Sequence, residues 1–292
     1  MSSNSRNTNT TPRTNASANT NTNSSNSVAT STDFNTFLQL LKPRLTTPQF
    51  FWFVGHVSTL LNSAIYLFFS FFSTGISQRY YKYALMSIIS TYLIVLYQVY
   101  KSSNAFSFFN LKNFTNNDNF QYLALALLWY LVSGYKVIGG GLYPFIIYST
   151  FHVLNYFKNF ILPILPSMTP QQKTLVQNYI NHFVRTYNEQ SLVASANLEV
   201  LVLVQLAIGS PLVLYYLLTN FWLAIINIIV IVQFVAFMKL RYRQSKYTKG
   251  TFDGTVYKLD AFMNSGTVPL QFVQTYANLK LQVTQLIARI PF

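Results

Sequence analysis

The 292-residue sequence contains no cysteine, which removes disulfide scaffolds, zinc knuckles, iron–sulfur clusters and thiol nucleophiles from consideration. Acidic groups are nearly as scarce: six Asp and Glu and three His are scattered over the whole length, leaving little material for acid–base or metal chemistry. Charged residues make up only 9% of the chain against 51% hydrophobic and 17% aromatic, a balance outside the range of soluble domains. The composition argues for a membrane protein and against an enzyme, and no cofactor is expected. What the chain does have is positive charge. Twenty Lys and Arg give a formal +14, suited to anionic lipid head groups or acidic partners.

Residues 1–32 are almost entirely Asn, Thr and Ser, with no apolar stretch resembling a signal-peptide core, and are expected to form a disordered tail because they cannot bury enough surface to offset ordering entropy. Asp33 can then cap a short surface helix through Phe34, Phe37, Leu38 and Leu41 that Pro43 should stop. Six apolar segments follow, at 50–72, 83–100, 120–135, 142–157, 198–218 and 220–238. The expected fold is an all-α polytopic membrane protein of three helical hairpins with cytosolic amphipathic helices, divided into a tail (1–32), a membrane domain (33–238) and a cytosolic C-terminal segment (239–292). The middle pair is short, 16 residues each, or about 24 Å as helix, against a bilayer core of roughly 30 Å. These two helices either form incomplete wedges that deform the bilayer or extend past the stated boundaries, for example through 160–162. Between them, Gly139, Gly140 and Gly141 lack the Lys and Ser or Thr of a phosphate loop and read as a hairpin turn.

With both termini cytosolic, 17 basic residues lie inside and three (Arg79, Lys82 and Lys136) outside, the bias that the positive-inside rule demands. Only short turns are then left in the lumen.

Two stretches are amphipathic. Thr169 and Pro170 open a helix at 170–190 whose apolar face (Leu175, Tyr179, Phe183, Tyr187 and neighbours) packs on the bundle or lies in the head-group layer. Near the C-terminus, Phe272, Tyr276, Leu279, Val283, Leu286 and Ile290 step by four and three between Pro269 and Pro291. This stripe suits apolar insertion into curved or loosely packed membrane, and a coiled-coil or bundle contact would use the same face. Between the last apolar segment and this helix run Lys239, Arg241, Arg243, Lys246, Lys249 and Lys258. The first three serve as a stop-transfer flank, and the rest call for anionic lipid or an acidic protein such as a nuclear import receptor. No nucleic-acid-binding fold surrounds them, so nucleic acid is not an expected partner. His56, His152 and Glu199 fall within or beside apolar segments as three isolated groups, better suited to structural hydrogen bonds than to a proton relay. A transporter or channel would need polar groups facing one another at mid-bilayer, and Asn62, Ser63, Ser87, Ser90, Thr91, Gln205 and Asn227 are the candidates.

Three segments carry a resemblance: Tyr143-Pro144-Phe145-Ile146-Ile147-Tyr148-Ser149-Thr150-Phe151-His152, Asn197-Leu198-Glu199, and Met238-Lys239-Leu240-Arg241-Tyr242-Arg243-Gln244-Ser245. Their order and spacing, from about Leu41 onward, resemble the transmembrane protein 33 family of endoplasmic-reticulum and nuclear-envelope proteins. The resemblance implies a non-enzymatic protein that shapes tubular reticulum, associates with reticulon-type curvature proteins, and supports nuclear pore complex assembly or distribution alongside nucleoporins. It also implies that the C-terminal region contributes to membrane targeting.

Overall fold

The computed structural model describes residues 34–102 and 116–289, and among these the chain is all helical apart from its turns. Asp33 and Ile290 lie outside the described residues, as does the Asn-rich tail. Helix α1 (Phe34–Leu45) continues two residues beyond Pro43 instead of ending there. Its last turn is held from outside: Arg44 donates to the Phe160 carbonyl, and the Thr47 hydroxyl donates to the Arg44 carbonyl at 2.7 Å. Those bonds hold the last turn in place although Pro43 contributes no backbone donor.

Among the described residues, four helices are long and apolar enough to cross a membrane: α2 (Pro48–Phe69), α3 (Thr74–Ser102), α6 (Pro170–Gly209) and α8 (Phe221–Gln244). The protein is thus an all-α polytopic membrane protein. Each start has a local cause in α2 and α6. Thr47 caps α2 by accepting from the Phe50 amide, with Pro48 in the first turn. Thr169 and Gln172 form a reciprocal capping box ahead of α6.

The middle helices α4 (Asp118–Val132) and α5 (Leu142–Tyr156) have 15 residues each, about 22 Å at 1.5 Å per residue. They form the centre of the bundle. Helix α4 packs on α3 and α8, α5 packs on α2 and α6, and large aromatic side chains fill the space between the two: Tyr122 and Trp129 approach Phe145 with ring centroids 5.6 and 6.5 Å apart. Beyond Tyr156 the chain continues as a π-helical turn (Phe157–Ile161) and a 3-10 turn (Leu162–Ile164).

The glycine turn joining α4 and α5 is a 3-10 helix (Gly139–Gly141) whose first and last residues are selected by close approach. A Cβ on Gly139 would collide with the Tyr66 hydroxyl, and one on Gly141 with the Trp129 indole, whereas one on Gly140 would make ordinary contacts at 3.5 Å to Val202 and Gln205. Tyr81 closes the same end by accepting from the Ile138 amide at 3.2 Å.

The second half of the chain departs from the segment boundaries expected above. The amphipathic stretch at 170–190 and most of the fifth apolar segment are one 40-residue helix, α6, which breaks at Ser210-Pro211. A short helix α7 (Leu212–Thr219) then folds against α8, whose first turn is capped by Asn220 accepting from the Leu223 amide at 3.1 Å. The basic stretch after α8 is also helical: α9 (Lys246–Met263), capped by Ser245, packs on α6 and α8 despite carrying Gly250 and Gly254. Gly266, at a φ of 78°, supplies the left-handed turn that separates α9 from α10 (Leu270–Arg289).

Candidate functional site: an interhelical polar cluster and an exposed C-terminal face

The three segments that carry the resemblance meet in space. Tyr148 comes from the first, Glu199 from the second and Arg241 from the third, and Asp118 and Tyr122 of α4 complete the group. The Arg241 guanidinium lies 2.9 Å from Asp118 Oδ2 and 3.8 Å from Glu199 Oε2, and over the Tyr122 ring at 5.3 Å. Tyr122 donates to Glu199 Oε1 at 2.6 Å, its hydroxyl is 3.1 Å from that of Tyr148, and Ser195 donates to the Tyr148 hydroxyl at 2.8 Å. Glu199 and Arg241 are 2% and 8% exposed. One cluster therefore pins α4, α5, α6 and α8 together.

Arg241 departs from its expected place in the stop-transfer flank. It lies on the row Phe234, Phe237, Arg241 that faces the core, and it is spent on two carboxylates, not on head groups. Glu199 lies within the long helix α6 and is buried against the same guanidinium. His56 and His152 are not isolated either: their rings lie 4.7 Å apart beside Trp52, and His56 Nδ1 is 2.9 Å from Ser149 Oγ.

The remaining basic residues divide by position. Arg243, Lys246, Lys249 and Lys258 are exposed. Lys246 pairs with Glu189 of α6 at 3.7 Å, and Lys249 lies over the Tyr242 ring. Hydrogen bonding to Tyr247 and the Glu189 carboxylate hold the Lys246 ammonium above its ordinary value. Lys239 is half-buried in the last turns of α8.

On α10 the stripe lies open: Phe272, Leu279 and Val283 are 64%, 59% and 44% exposed. Leu286 is on the same helix, with its side chain outside the described residues. Tyr276 differs, because it turns to α9 and donates to Asp260 Oδ1 at 2.7 Å, with Lys280 beside it at 2.8 Å from the same oxygen. Lys280 first and Tyr276 second hold the Asp260 carboxyl below its usual range, while burial and that carboxylate push the Tyr276 phenol up to about 12. This latch sets the angle between α9 and α10 and leaves the apolar residues of α10 free.

Most of the polar residues a transport path would use are bonded to a backbone carbonyl of their own helix or to a side chain of a neighbouring one, and Ser63 Oγ is buried without a partner. Ser58 and Ser87 join α2 to α3 at 2.8 Å, Asn62 donates to the Ser58 carbonyl at 2.8 Å, and Lys136 contacts Asn227. Thr91 is the one of the seven candidates that lines the cleft beside the cluster. No group of three or more metal-ligating side chains occurs among the described residues.

Comparison with known proteins places these features in a family. The family model described as Transmembrane protein 33/Nucleoporin POM33 matches residues 30–289. The Pore and endoplasmic reticulum protein of 33 kDa of Saccharomyces cerevisiae is 33% identical over 86% of this chain and 94% of its own length. Nucleoporin POM33 of Chaetomium thermophilum is 27% identical over 83% of this chain and 87% of its own. Tetra-spanning protein 1 of Schizosaccharomyces pombe is 26% identical over 83% and 85%. No solved structure matches. With the family model covering nearly all of the helical chain and a relative at this identity along almost its full length, the protein belongs to the transmembrane protein 33/nucleoporin POM33 family.

Proposed function

We propose that the chain is a non-enzymatic membrane protein of the endoplasmic reticulum and nuclear envelope that stabilises curved membrane and supports reticulum tubule organisation and nuclear pore complex assembly or distribution. The exposed apolar face of α10 carries this reading: among the described residues no other helix of the chain covers Phe272, Leu279 or Val283, and exposed cations of α9 precede them in the sequence. A helix with apolar residues on one face, mostly uncharged polar residues on the other and a single flanking lysine binds membrane chiefly by insertion, which favours curved bilayers. Family membership supports the compartment, since relatives are named for the pore and the endoplasmic reticulum.

In this reading α2, α3, α6 and α8 span the bilayer and both termini are cytosolic, so that α9 and α10 with their basic residues share the cytosolic side. One relative is named as tetra-spanning, which agrees with that number. The short α4 and α5 then enter from the cytosol as a central hairpin. Their length, about 8 Å less than the bilayer core, draws the cytosolic leaflet inward around them. Partners are anionic and curved lipid, nucleoporins, reticulon-type proteins, and an acidic import receptor at Lys246, Lys249 and Lys258. Localisation of the tagged full-length protein with proximity labelling tests the proposal. Labelling of pore and tubule proteins is the expected outcome, and a uniform reticulum distribution without either class would contradict it.

A further inference from the structure

Beside the polar cluster lies a cleft of about 360 Å³ lined by residues that include Trp52, His56, Tyr92, Tyr148, His152 and Arg241. Much of its lining comes from the same end of the bundle, with Thr91, Tyr92 and Val95 of α3 and Leu192 of α6 further along their helices. Trp52 and His56 are within about two turns of the start of α2, His152 and Arg241 within about a turn of the ends of α5 and α8, and Asp118 opens α4. Such a level, rich in Trp and Tyr, matches the boundary between head groups and acyl chains. The volume falls in the range that takes a small ligand or the polar end of a larger one.

Two buried polar atoms of this wall have no hydrogen-bond partner, His56 Nε2 and Arg241 Nε. The second faces Glu199 Oε2 at 3.8 Å, and the same guanidinium binds Asp118, so the cation of the cleft is already engaged within the protein. An ionic ligand would have to compete with these pairs. His56 is different. It is 6% exposed, its Nδ1 is committed to Ser149 Oγ, and Nε2 on the opposite side of the ring is left without a partner. Because the serine hydroxyl can give or accept the proton, Nε2 is a donor in one tautomer and an acceptor in the other. A ligand hydroxyl suits either case, whereas an ammonium or a carboxylate suits only one. The other walls, Trp52, Tyr92, Val95 and Leu192, offer aromatic and aliphatic surface to an apolar body.

We propose that this cleft binds a neutral membrane lipid bearing a free hydroxyl, with the hydroxyl on His56 Nε2 and the apolar body against Trp52, Tyr92 and Leu192. Sterols and diacylglycerols share that chemistry. The ligand would brace α2 against α5 at the level of the polar cluster.

The test uses the full-length protein in phosphatidylcholine nanodiscs carrying either a photoactivatable sterol or a photoactivatable diacylglycerol, with labelled sites mapped by mass spectrometry. At least one probe should label the tryptic fragments 45–79 and 137–158, which hold α2 and α5, and its unlabelled counterpart should compete. The probe that labels identifies the lipid class. His56→Asn keeps a group at the Nδ1 position for Ser149 and lacks Nε2, whereas His56→Gln reaches the Nε2 position. Labelling should fall by roughly three- to ten-fold in His56→Asn, the worth of one hydrogen bond, and be largely retained in His56→Gln. Thermal melting of each variant separates loss of the ligand from loss of the fold. Labelling of neither fragment by either probe, equal labelling in a folded His56→Asn variant, or equal competition by the methyl ether of the same lipid, which has no free hydroxyl, would each overturn the proposal.

Discussion

Arg241 and Asp118 are 123 residues apart in sequence and 2.9 Å apart in space, and their pairing joins the end of α8 to the start of α4. Glu199 stands on the other side of the same guanidinium, almost fully buried. Removing one member of such a group leaves an uncompensated charge, while replacing the whole set by apolar or neutral groups costs far less. Arg241→Met should therefore destabilise the protein by about 3 kcal/mol, and adding Glu199→Gln should recover more than half of that loss. Thermal or denaturant unfolding in detergent provides the cycle. Additive losses in the double variant would show that the two side chains are not coupled.

The glycine turn makes a contrast within three consecutive residues. Gly141→Ala forces a methyl group into the Trp129 ring and Gly139→Ala forces one into the Tyr66 hydroxyl, but Gly140→Ala meets only ordinary contacts. The first should cost about 1–3 kcal/mol as overpacking, the second less because Tyr66 can move its far end, and Gly140→Ala should change stability by less than about 0.5 kcal/mol. Unfolding of the three variants side by side checks the order.

Why so much of this was hidden from the sequence is clear at Arg241. Counting charges places Lys239, Arg241 and Arg243 together, yet on a helix successive members of that set lie on nearly opposite faces. The signal that separates them is periodicity: Phe234, Phe237 and Arg241 step by three and four, as do His56, Thr59, Ser63 and Tyr66 on α2. Apolar length identified where α2, α3 and α8 run. It could not show that α6 continues from a polar half into an apolar half, because a count of apolar length starts only where the polar half ends; the signal was that no proline or glycine interrupts the chain between Pro170 and Gly209. Helix α9 was missed for the reverse reason. Two glycines and weak amphipathicity mask a segment that tertiary packing on α6 and α8 makes helical.

The latch between α9 and α10 has a definite pH dependence. Lys280 and Tyr276 lower the Asp260 carboxyl relative to its unfolded value, so its contribution is complete above the unfolded value, about 3.9, and is lost as pH falls through the lower, folded one. The α9–α10 geometry should not change between pH 8 and pH 5. Spin labels on α9 and α10 should report one distance across that range and a broadened distribution below about pH 4 or in Asp260→Asn at any pH. Broadening at pH 6 in the unaltered protein would mean another group controls the hinge.

Topology can be read with two cysteines introduced into the cysteine-free chain. An added side chain at Gly75, in the first turn of α3, or at Gly254, in α9, meets nothing within 4 Å. In sealed microsomes an impermeant maleimide should modify Gly254→Cys directly and Gly75→Cys only after permeabilisation. The opposite pattern would invert the orientation, and equal labelling of both would remove the membrane between them.

The central claim is that the open face of α10 inserts into curved membrane, and binding of a peptide covering residues 267–292 to vesicles of two sizes tests it most directly. Fully burying one large apolar side chain is worth about 1.5–3 kcal/mol, and shallow interfacial insertion less, so the wild-type peptide should bind reversibly. It should prefer small vesicles to large ones with weak dependence on salt. Leu279→Asp with Val283→Asp should reduce that binding by roughly ten-fold or more, since a factor of ten needs only 1.4 kcal/mol. Vesicle binding that is unchanged by the double replacement, or that is abolished by moderate salt in the unaltered peptide, would contradict the account.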